Sequence, residues 1–179
     1  MALQVRSRGA ACVAAVLVLA LATALSASAP TLAQAAQLIS RTHDWTTYAH
    51  DGPPQKMCFA VAQPRASEPA NLKRGKPFFY LTAWPKDRVK SEVSVKLGYP
   101  LKPGSEVMVT IGSAGFRLFV KDDKAFVANP AEELALIEAM KKGSTMIVQA
   151  TSARGTATTD TYSLAGVGQA LQMLAQKCR

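Results

Sequence analysis

The chain has 179 residues and a formal charge of +9 at pH 7. Such a length is typical of one domain, and it is sufficient to bury a hydrophobic core. A nucleic-acid-binding protein is disfavoured, because no predicted helix carries a basic run and the basic residues do not interleave with aromatic ones.

Residues 1–35 have the pattern of a secretory signal peptide. Arg6 and Arg8 precede an uncharged apolar run over residues 10–25, and Ala33-Gln34-Ala35 suits a signal peptidase. The run is short for a membrane span, which needs about 20 residues, and no later stretch is apolar enough to be one. We therefore expect a signal peptide at 1–35, a single domain at 36–179, and a location in the periplasm, in the cell envelope or outside the cell. An uncleaved N-terminal anchor is the alternative.

The charge of the exported domain indicates a class of partner. Two of the 21 Lys and Arg lie in residues 1–35 and none of the 12 Asp and Glu does, so residues 36–179 carry a formal +7. A positive exported domain favours an anionic glycan or lipid of the envelope or of a host surface, or an acidic protein. The alternative is that the charge only aids solubility.

In chain order, a polar segment comes first and short strands follow. Residues 36–54 are broken by Gly and Pro, and Trp45 and Tyr48 are expected to anchor them to the body. The predicted strands are 57–61, 78–84, 92–97, 107–111, 116–120, 125–127, 145–150 and 158–163, with a loop over 62–77. Many short strands separated by turn signals predict a β-sandwich or a barrel.

Two helices interrupt the strands. The first follows Asn129, which suits a helix cap, has Pro130 at its first position and ends at Gly143. Its buried side is predicted to carry Leu134, Ile137 and Met140. The second is predicted over 164–177, with an apolar stripe at steps of three and four residues.

The two cysteines of the exported domain, Cys58 and Cys178, predict one disulfide. Cys58 lies in a predicted buried strand. The apolar stripe of the second helix is Leu164, Val167, Leu171 and Leu174, and Cys178 occupies its next position. The periodicity therefore turns Cys178 towards the interior, where it can reach a strand.

The sequence shows no catalytic, metal or cofactor motif. His43 and His50 lie beside Asp44 and Asp51, but in a polar segment where exposed histidines are common. A Gly-x-Ser-x-Gly elbow, zinc-ligand spacing and a phosphate or dinucleotide loop are all missing. The sequence therefore predicts a protein that is not an enzyme and holds no metal or cofactor.

Two segments are candidate binding sites. The first is a basic group that would form an anionic-ligand patch, or else remain scattered solvated charge: Lys73, Arg74, Lys76, Lys86 and Arg88. The second is a loop and strand dense in hydroxyl groups, with Ser152, Arg154, Thr156 and Asp160. It is either a polar recognition loop or a structural element held by hydroxyl hydrogen bonds and an Arg154–Asp160 ion pair.

Several segments resemble the invasion-associated locus B family of bacterial proteins. They are Met57–Pro64, Ser67–Pro69, Glu92–Pro100, Met140–Met146, Thr151–Thr156 and Thr159–Leu164, followed by a terminal helix that bears Cys178. The resemblance covers about residues 41–178. It implies export to the periplasm or cell envelope and an immunoglobulin-like β-sandwich, and some members are linked to invasion of host cells such as erythrocytes. The family has no established catalytic residues to carry over, and it is widespread among bacteria that do not invade animal cells.

The favoured function is that of an exported, non-enzymatic envelope protein that binds an envelope or host-surface component and contributes to host-cell interaction or invasion. One alternative is a periplasmic structural or stress-related protein that acts through protein partners, which a contiguous exposed apolar patch would favour. The other is an unrecognised hydrolase, which needs a deep pocket holding Asp, Glu or His with perturbed pKa values.

Overall fold

The computed structural model describes residues 35–53 and 55–178. The predicted signal peptide therefore lies outside the described residues, except for Ala35. The described chain forms eleven strands: β1 (Gln37–Thr42), β2 (Trp45–His50), β3 (Met57–Ala62), β4 (Ala66–Glu68), β5 (Phe78–Trp84), β6 (Val89–Lys96), β7 (Glu106–Ile111), β8 (Ala114–Lys121), β9 (Lys124–Val127), β10 (Thr145–Thr151) and β11 (Ala157–Ser163). Two helices complete it, α1 (Pro130–Lys142) and α2 (Val167–Lys177).

All strand pairs are antiparallel, and hydrogen bonding runs continuously in the order β1-β2-β3-β5-β6-β9-β8-β7-β10-β11-β4. The sheet bends back on itself, because β4 follows β3 closely in the chain yet pairs with β11 at the far end of the strand order. Across the interior, Trp45 Nε1 donates to Ser163 O at 3.2 Å, and the rings of Phe79 and Tyr162 lie 5.8 Å apart. The fold is thus mainly β and sandwich-like, which confirms the predicted class.

The interior is built by alternation along the strands, as the sequence predicts. Successive side chains of a strand point to opposite faces, so every second residue enters the core. Val107, Val109 and Ile111 of β7 are buried. Met146, Val148 and Ala150 of β10 lie beside them and are also buried.

Helix α1 has the predicted ends but a different buried side. Asn129 Oδ1 accepts a hydrogen bond from Glu132 N at 2.9 Å, and Gly143 N donates to Ala139 O at 2.9 Å. Leu136, Ile137 and Met140 are buried. The prediction of Leu134 as a buried residue was wrong: its side chain is 63% exposed, because the helix is rotated so that position 136 packs inward.

Helix α2 packs on the sheet through Val167, Ala170 and Leu174. It begins three residues later than predicted, since Gly166 has a left-handed φ of +92° that a helix cannot contain. Beyond its C-terminus Cys178 is bonded to Cys58 of β3, with their Cα atoms 5.8 Å apart. The predicted disulfide is therefore present, and it fastens the terminal helix to the sheet.

The N-terminal segment is more ordered than predicted. It forms β1 and β2, and Trp45 of β2 is fully buried. Strand β4 likewise lies inside the predicted loop 62–77. Both β1 and β4 are edge strands, which are short or polar and so lack the apolar alternation of a central strand.

Candidate functional site

Strand β11 places a polar row inside the protein. Thr158, Asp160 and Tyr162 occupy its inward positions, and their exposed fractions are 3%, 0% and 0%. On neighbouring β10 the inward positions are apolar. A buried carboxylate is costly unless a cation and hydrogen bonds compensate it, so Asp160 needs a partner from another element.

Arg74 supplies the missing cation. Its Nη1 donates to Asp160 Oδ2 at 2.9 Å, and its Nη2 donates to Oδ1. Ser67 Oγ of β4 donates to the same Oδ1 at 2.6 Å, and Arg74 Nη1 also donates to Leu97 O at 3.0 Å. Only 6% of the Arg74 side chain is exposed. The result is a bidentate buried ion pair, the geometry for which guanidinium is best suited.

Tyr99 covers this ion pair. The Cζ atom of Arg74 lies 5.6 Å from the centroid of the Tyr99 ring, within cation–π range. The Tyr99 hydroxyl is hydrogen-bonded to Thr158 Oγ1. Burial raises the pKa of the Tyr99 hydroxyl, and burial also raises the pKa of Tyr162. Both phenols therefore remain neutral at physiological pH.

A close backbone contact directs Arg74 inward. Gly75 N donates to Gly98 O at 2.8 Å. Gly98 has a φ of +77°, and a Cβ at this position would lie 2.1 Å from Gly75 O. Only glycine fits both the conformation and the space. The loop that carries Arg74 is thus held against the turn that carries Tyr99.

Above the ion pair lies an open cleft of about 370 Å³. It is lined by Leu72, Lys73, Tyr99, Pro100, Ser152, Ala153, Arg154 and Thr156. We call it the loop cleft. None of these residues is Asp, Glu or His.

The loop over residues 152–156 is a fixed wall of the loop cleft. Ser152 Oγ accepts from Thr156 N at 3.1 Å, and Ser152 N donates to Thr156 O at 2.9 Å. Ala153 N donates to Pro100 O at 2.8 Å. These bonds leave the side chain of Arg154 exposed at the tip. Lys73 is exposed on the opposite loop, and neither cation forms an ion pair with a described residue.

The structure combines the two candidate segments in a way that sequence reasoning did not foresee. Lys73 of the basic group lines the loop cleft together with Ser152, Arg154 and Thr156 of the polar loop. The predicted Arg154–Asp160 ion pair is wrong: Asp160 points inward to Arg74, whereas Arg154 lies in an exposed turn.

The basic group itself is divided. Arg74 is buried, and Lys76 is exposed before β5. Lys86 and Arg88 lie in the turn after β5, at the other end of a seven-residue strand and so about 20 Å away. Anion binding by these residues stays a prediction.

Ser67, Gly98 and Tyr99 were missed as members of the site. One signal was available in the sequence. Asp160 lies on the same face of a predicted strand as Thr158 and Tyr162, and if that face is internal, the buried acid must have a partner. Its partner could not be identified, because 86 residues separate Arg74 from Asp160.

In the histidine-bearing segment both aspartates have Lys or Arg partners. Asp44 accepts two hydrogen bonds from Arg65, at 2.9 and 2.7 Å, and Asp51 lies 3.6 Å from Lys56 Nζ. The Arg65 hydrogen bond holds the pKa of Asp44 below its usual value. Over the part of the chain that the structure describes, no three His, Cys, Asp or Glu residues are grouped as metal ligands. Within the same residues, neither helix has the length and apolar character needed to cross a bilayer.

The sequence profile of the invasion associated locus B (IalB) protein family matches residues 45–175. This chain belongs to that family. The crystal structure of invasion associated protein b from Bartonella henselae is similar to this IalB family member, with a TM-score of 0.56 at 14% sequence identity. The alignment covers 78% of this chain and 95% of that one, so the likeness concerns the fold of nearly the whole Bartonella protein. No curated protein is significantly similar in sequence.

Proposed function

We propose that this IalB family member is an exported, non-enzymatic envelope protein whose loop cleft binds an acidic glycan or glycolipid of the envelope or of a host surface. Three observations support the proposal: the family, the signal-peptide pattern of residues 1–35, and two cations that converge on one cleft. The contribution to host-cell interaction or invasion is part of the same proposal.

The presence of Lys73 and Arg154 in one cleft is the observation that indicates an anionic ligand. Both cations are exposed and unpaired among the described residues, and Ser152 and Thr156 line the same cleft. Phosphate, sulfate and carboxylate groups are recognised by such cations through charge-assisted hydrogen bonds. Tyr99 is only 8% exposed and forms part of the floor of the loop cleft.

The buried ion pair beneath the loop cleft serves the same function by fixing its floor. Arg74 is paired with Asp160, hydrogen-bonded to Leu97 O and only 6% exposed at its side chain, so it does not compete for the ligand. Because the floor of the cleft is already rigid, less conformational entropy is lost when a ligand binds. Arg74 is therefore a positioning residue, and Lys73 and Arg154 are the binding residues.

The test is binding of heparin and of lipopolysaccharide to the exported chain at rising salt. Replacing both Lys73 and Arg154 with Ala should weaken binding at least about tenfold, since each lost charge-assisted hydrogen bond contributes about 1 kcal/mol or more. The matched control replaces Lys86 and Arg88 with Ala, which removes the same charge from the other end of β5. Equal losses in the two variants would show that only net charge matters and would overturn the proposed site.

Export has its own measurement. Fractionation of cells that express the full chain should place it in the periplasm or envelope, and N-terminal sequencing of that material should begin near Ala36. A product that stays in the cytoplasm with Met1 intact would exclude this part of the proposal.

The two alternatives have less support. The hydrolase alternative needs Asp, Glu or His in a pocket, and the loop cleft is lined by none of these. A structural role through protein partners needs a broad apolar patch. The exposed large apolar side chains Leu38, Phe119, Leu134 and Ile147 lie on four different elements, and the aromatic face around Phe59 and Tyr80 is interrupted by Glu92 and Lys124.

A further inference from the structure

The outer face of the sheet carries an aromatic groove that the loop cleft does not explain. Outward positions of β2, β3, β5 and β9 hold Tyr48, Phe59, Tyr80 and Phe126. The rings of Tyr48 and Phe59 are stacked at 5.2 Å, and those of Phe59 and Tyr80 lie 6.2 Å apart. All four are partly exposed.

These four rings are not among the buried residues of the core. On β3 the inward residues are small, Cys58, Ala60 and Ala62, while the outward ones include Met57 and Phe59. An antiparallel sheet normally places its apolar residues inside and polar ones outside. Strand β3 puts its larger apolar side chains on the solvent side, which indicates a role in recognition.

Polar groups accompany the rings across the strands. One cross-strand row runs Tyr48, Phe59, Thr82, Glu92, and another runs Tyr80, Ser94, Phe126. A hollow of about 270 Å³ is lined by members of both rows together with Met57, Trp84 and Lys124. Five neighbouring strands from β2 to β9 extend the groove over about 19 Å at the usual strand spacing.

The charges of the groove are balanced. Glu92 and Lys124 line the same hollow, and neither forms an ion pair or a side-chain hydrogen bond with a described residue. At the other end Asp44 is neutralised by Arg65. The loop cleft, by contrast, presents two unpaired cations. The groove therefore complements an uncharged ligand that stacks on rings and hydrogen-bonds to isolated polar groups.

We propose that this groove binds a neutral, unbranched chain of pyranose sugars. The flat apolar faces of the sugar rings would lie on Phe59, Tyr80 and Trp84, as apolar groups do on aromatic faces. Their hydroxyl groups would bond to Glu92 and Lys124. A protein partner fits less well, because it would bury Glu92 and Lys124 without providing each with a matched charge, and interface cores are depleted in charge.

The test uses chitohexaose and maltohexaose, two neutral hexasaccharides, titrated into the exported chain while tryptophan emission is followed. Trp84 lines the groove and Trp45 is fully buried, so a saturable change reports the groove. We expect saturation with at least one sugar. Tyr80→Ala and Glu92→Gln should each weaken it at least tenfold, and Tyr80→Phe should retain it, because the ring remains. The matched control is Ile147→Ala, an outward apolar residue of β10, which should leave binding unchanged.

Three results would overturn the proposal: no saturation with either sugar, undiminished binding in both Tyr80→Ala and Glu92→Gln, or concentration-dependent self-association that Tyr80→Ala abolishes, which would assign the face to a second copy of the chain. The loop cleft is tested separately. The Lys73 and Arg154 double variant should keep hexasaccharide binding, and Tyr80→Ala should keep heparin binding, so failure of one site does not imply failure of the other.

Discussion

The guanidinium of Arg74 and the carboxylate of Asp160 are paired inside the protein, although 86 residues separate them in the chain. The pair joins the loop before β5 to the inward face of β11. It also receives Ser67 from β4, so two adjoining segments meet at a carboxylate that is distant from both in sequence.

This pair should be essential for stability. Arg74→Met leaves the Asp160 carboxylate buried without its cation. Asp160→Asn leaves the guanidinium of Arg74 buried without its carboxylate. Removing one partner of a buried pair costs about 3–5 kcal/mol. Urea unfolding of both variants should show losses of this size, whereas Arg154→Ala, in an exposed turn, should stay within about 0.5 kcal/mol. A comparable loss for Arg154→Ala would contradict the assignment of Arg74 as the partner.

The contact between Gly75 and Gly98 gives a second prediction, with a built-in control. Gly98 and Gly104 have similar positive φ values, +77° and +72°, but only Gly98 has backbone close to its missing Cβ. Ala at Gly104 should cost about 1–2 kcal/mol for its conformation alone. Ala at Gly98 should cost clearly more and loosen the loop that carries Arg74. Hydrogen exchange at Gly75 N would detect that loosening, and equal effects of the two substitutions would rule out the close contact.

The disulfide should stabilise the folded protein by restricting the unfolded chain. It closes a loop of 120 residues, for which the chain-entropy model gives about 4–5 kcal/mol. The Cys58→Ser and Cys178→Ser double variant should lose stability of this order in urea. Thiol titration of the processed protein under denaturing, non-reducing conditions should find no free thiol, and two free thiols would remove the basis of this prediction.

Glu133 should make the stability of the protein depend on pH. Burial raises its pKa, while its Oε1 accepts a hydrogen bond from Val93 N at 2.7 Å. A raised folded pKa means that the folded state favours the protonated acid, so the contribution of this group to stability is largest below the unfolded value of about 4.3 and falls as pH rises through the folded pKa. Relative to Glu133→Gln, the natural chain should therefore lose stability as pH rises above about 4.3. The free energy of unfolding of the natural chain and of Glu133→Gln, measured at a series of pH values, checks this direction. A difference between the two that stays constant, or that grows in favour of the natural chain as pH rises, would refute the prediction.

The predictions that held depend on local patterns. Asn129 and Gly143 end α1 through their own backbone preferences, and β7 follows from three alternating apolar residues. The disulfide was predictable because the domain has two cysteines and the helical stripe points Cys178 inward. The site was only half predictable, since Lys73 and Arg154 were each noted but nothing in the sequence placed them together.

The amino-acid order by itself determined which segments alternate, where α1 begins and ends, and which cysteines pair, because each depends on neighbouring residues or on a count. The tertiary structure decided that the polar edge segments become β1 and β4, that Asp160 faces Arg74 rather than Arg154, and that the two basic and polar loops share one cleft. These outcomes depend on which distant strands pair and on how far the sheet curls. Long-range pairing is set by the summed burial of the whole core, and no local pattern encodes it.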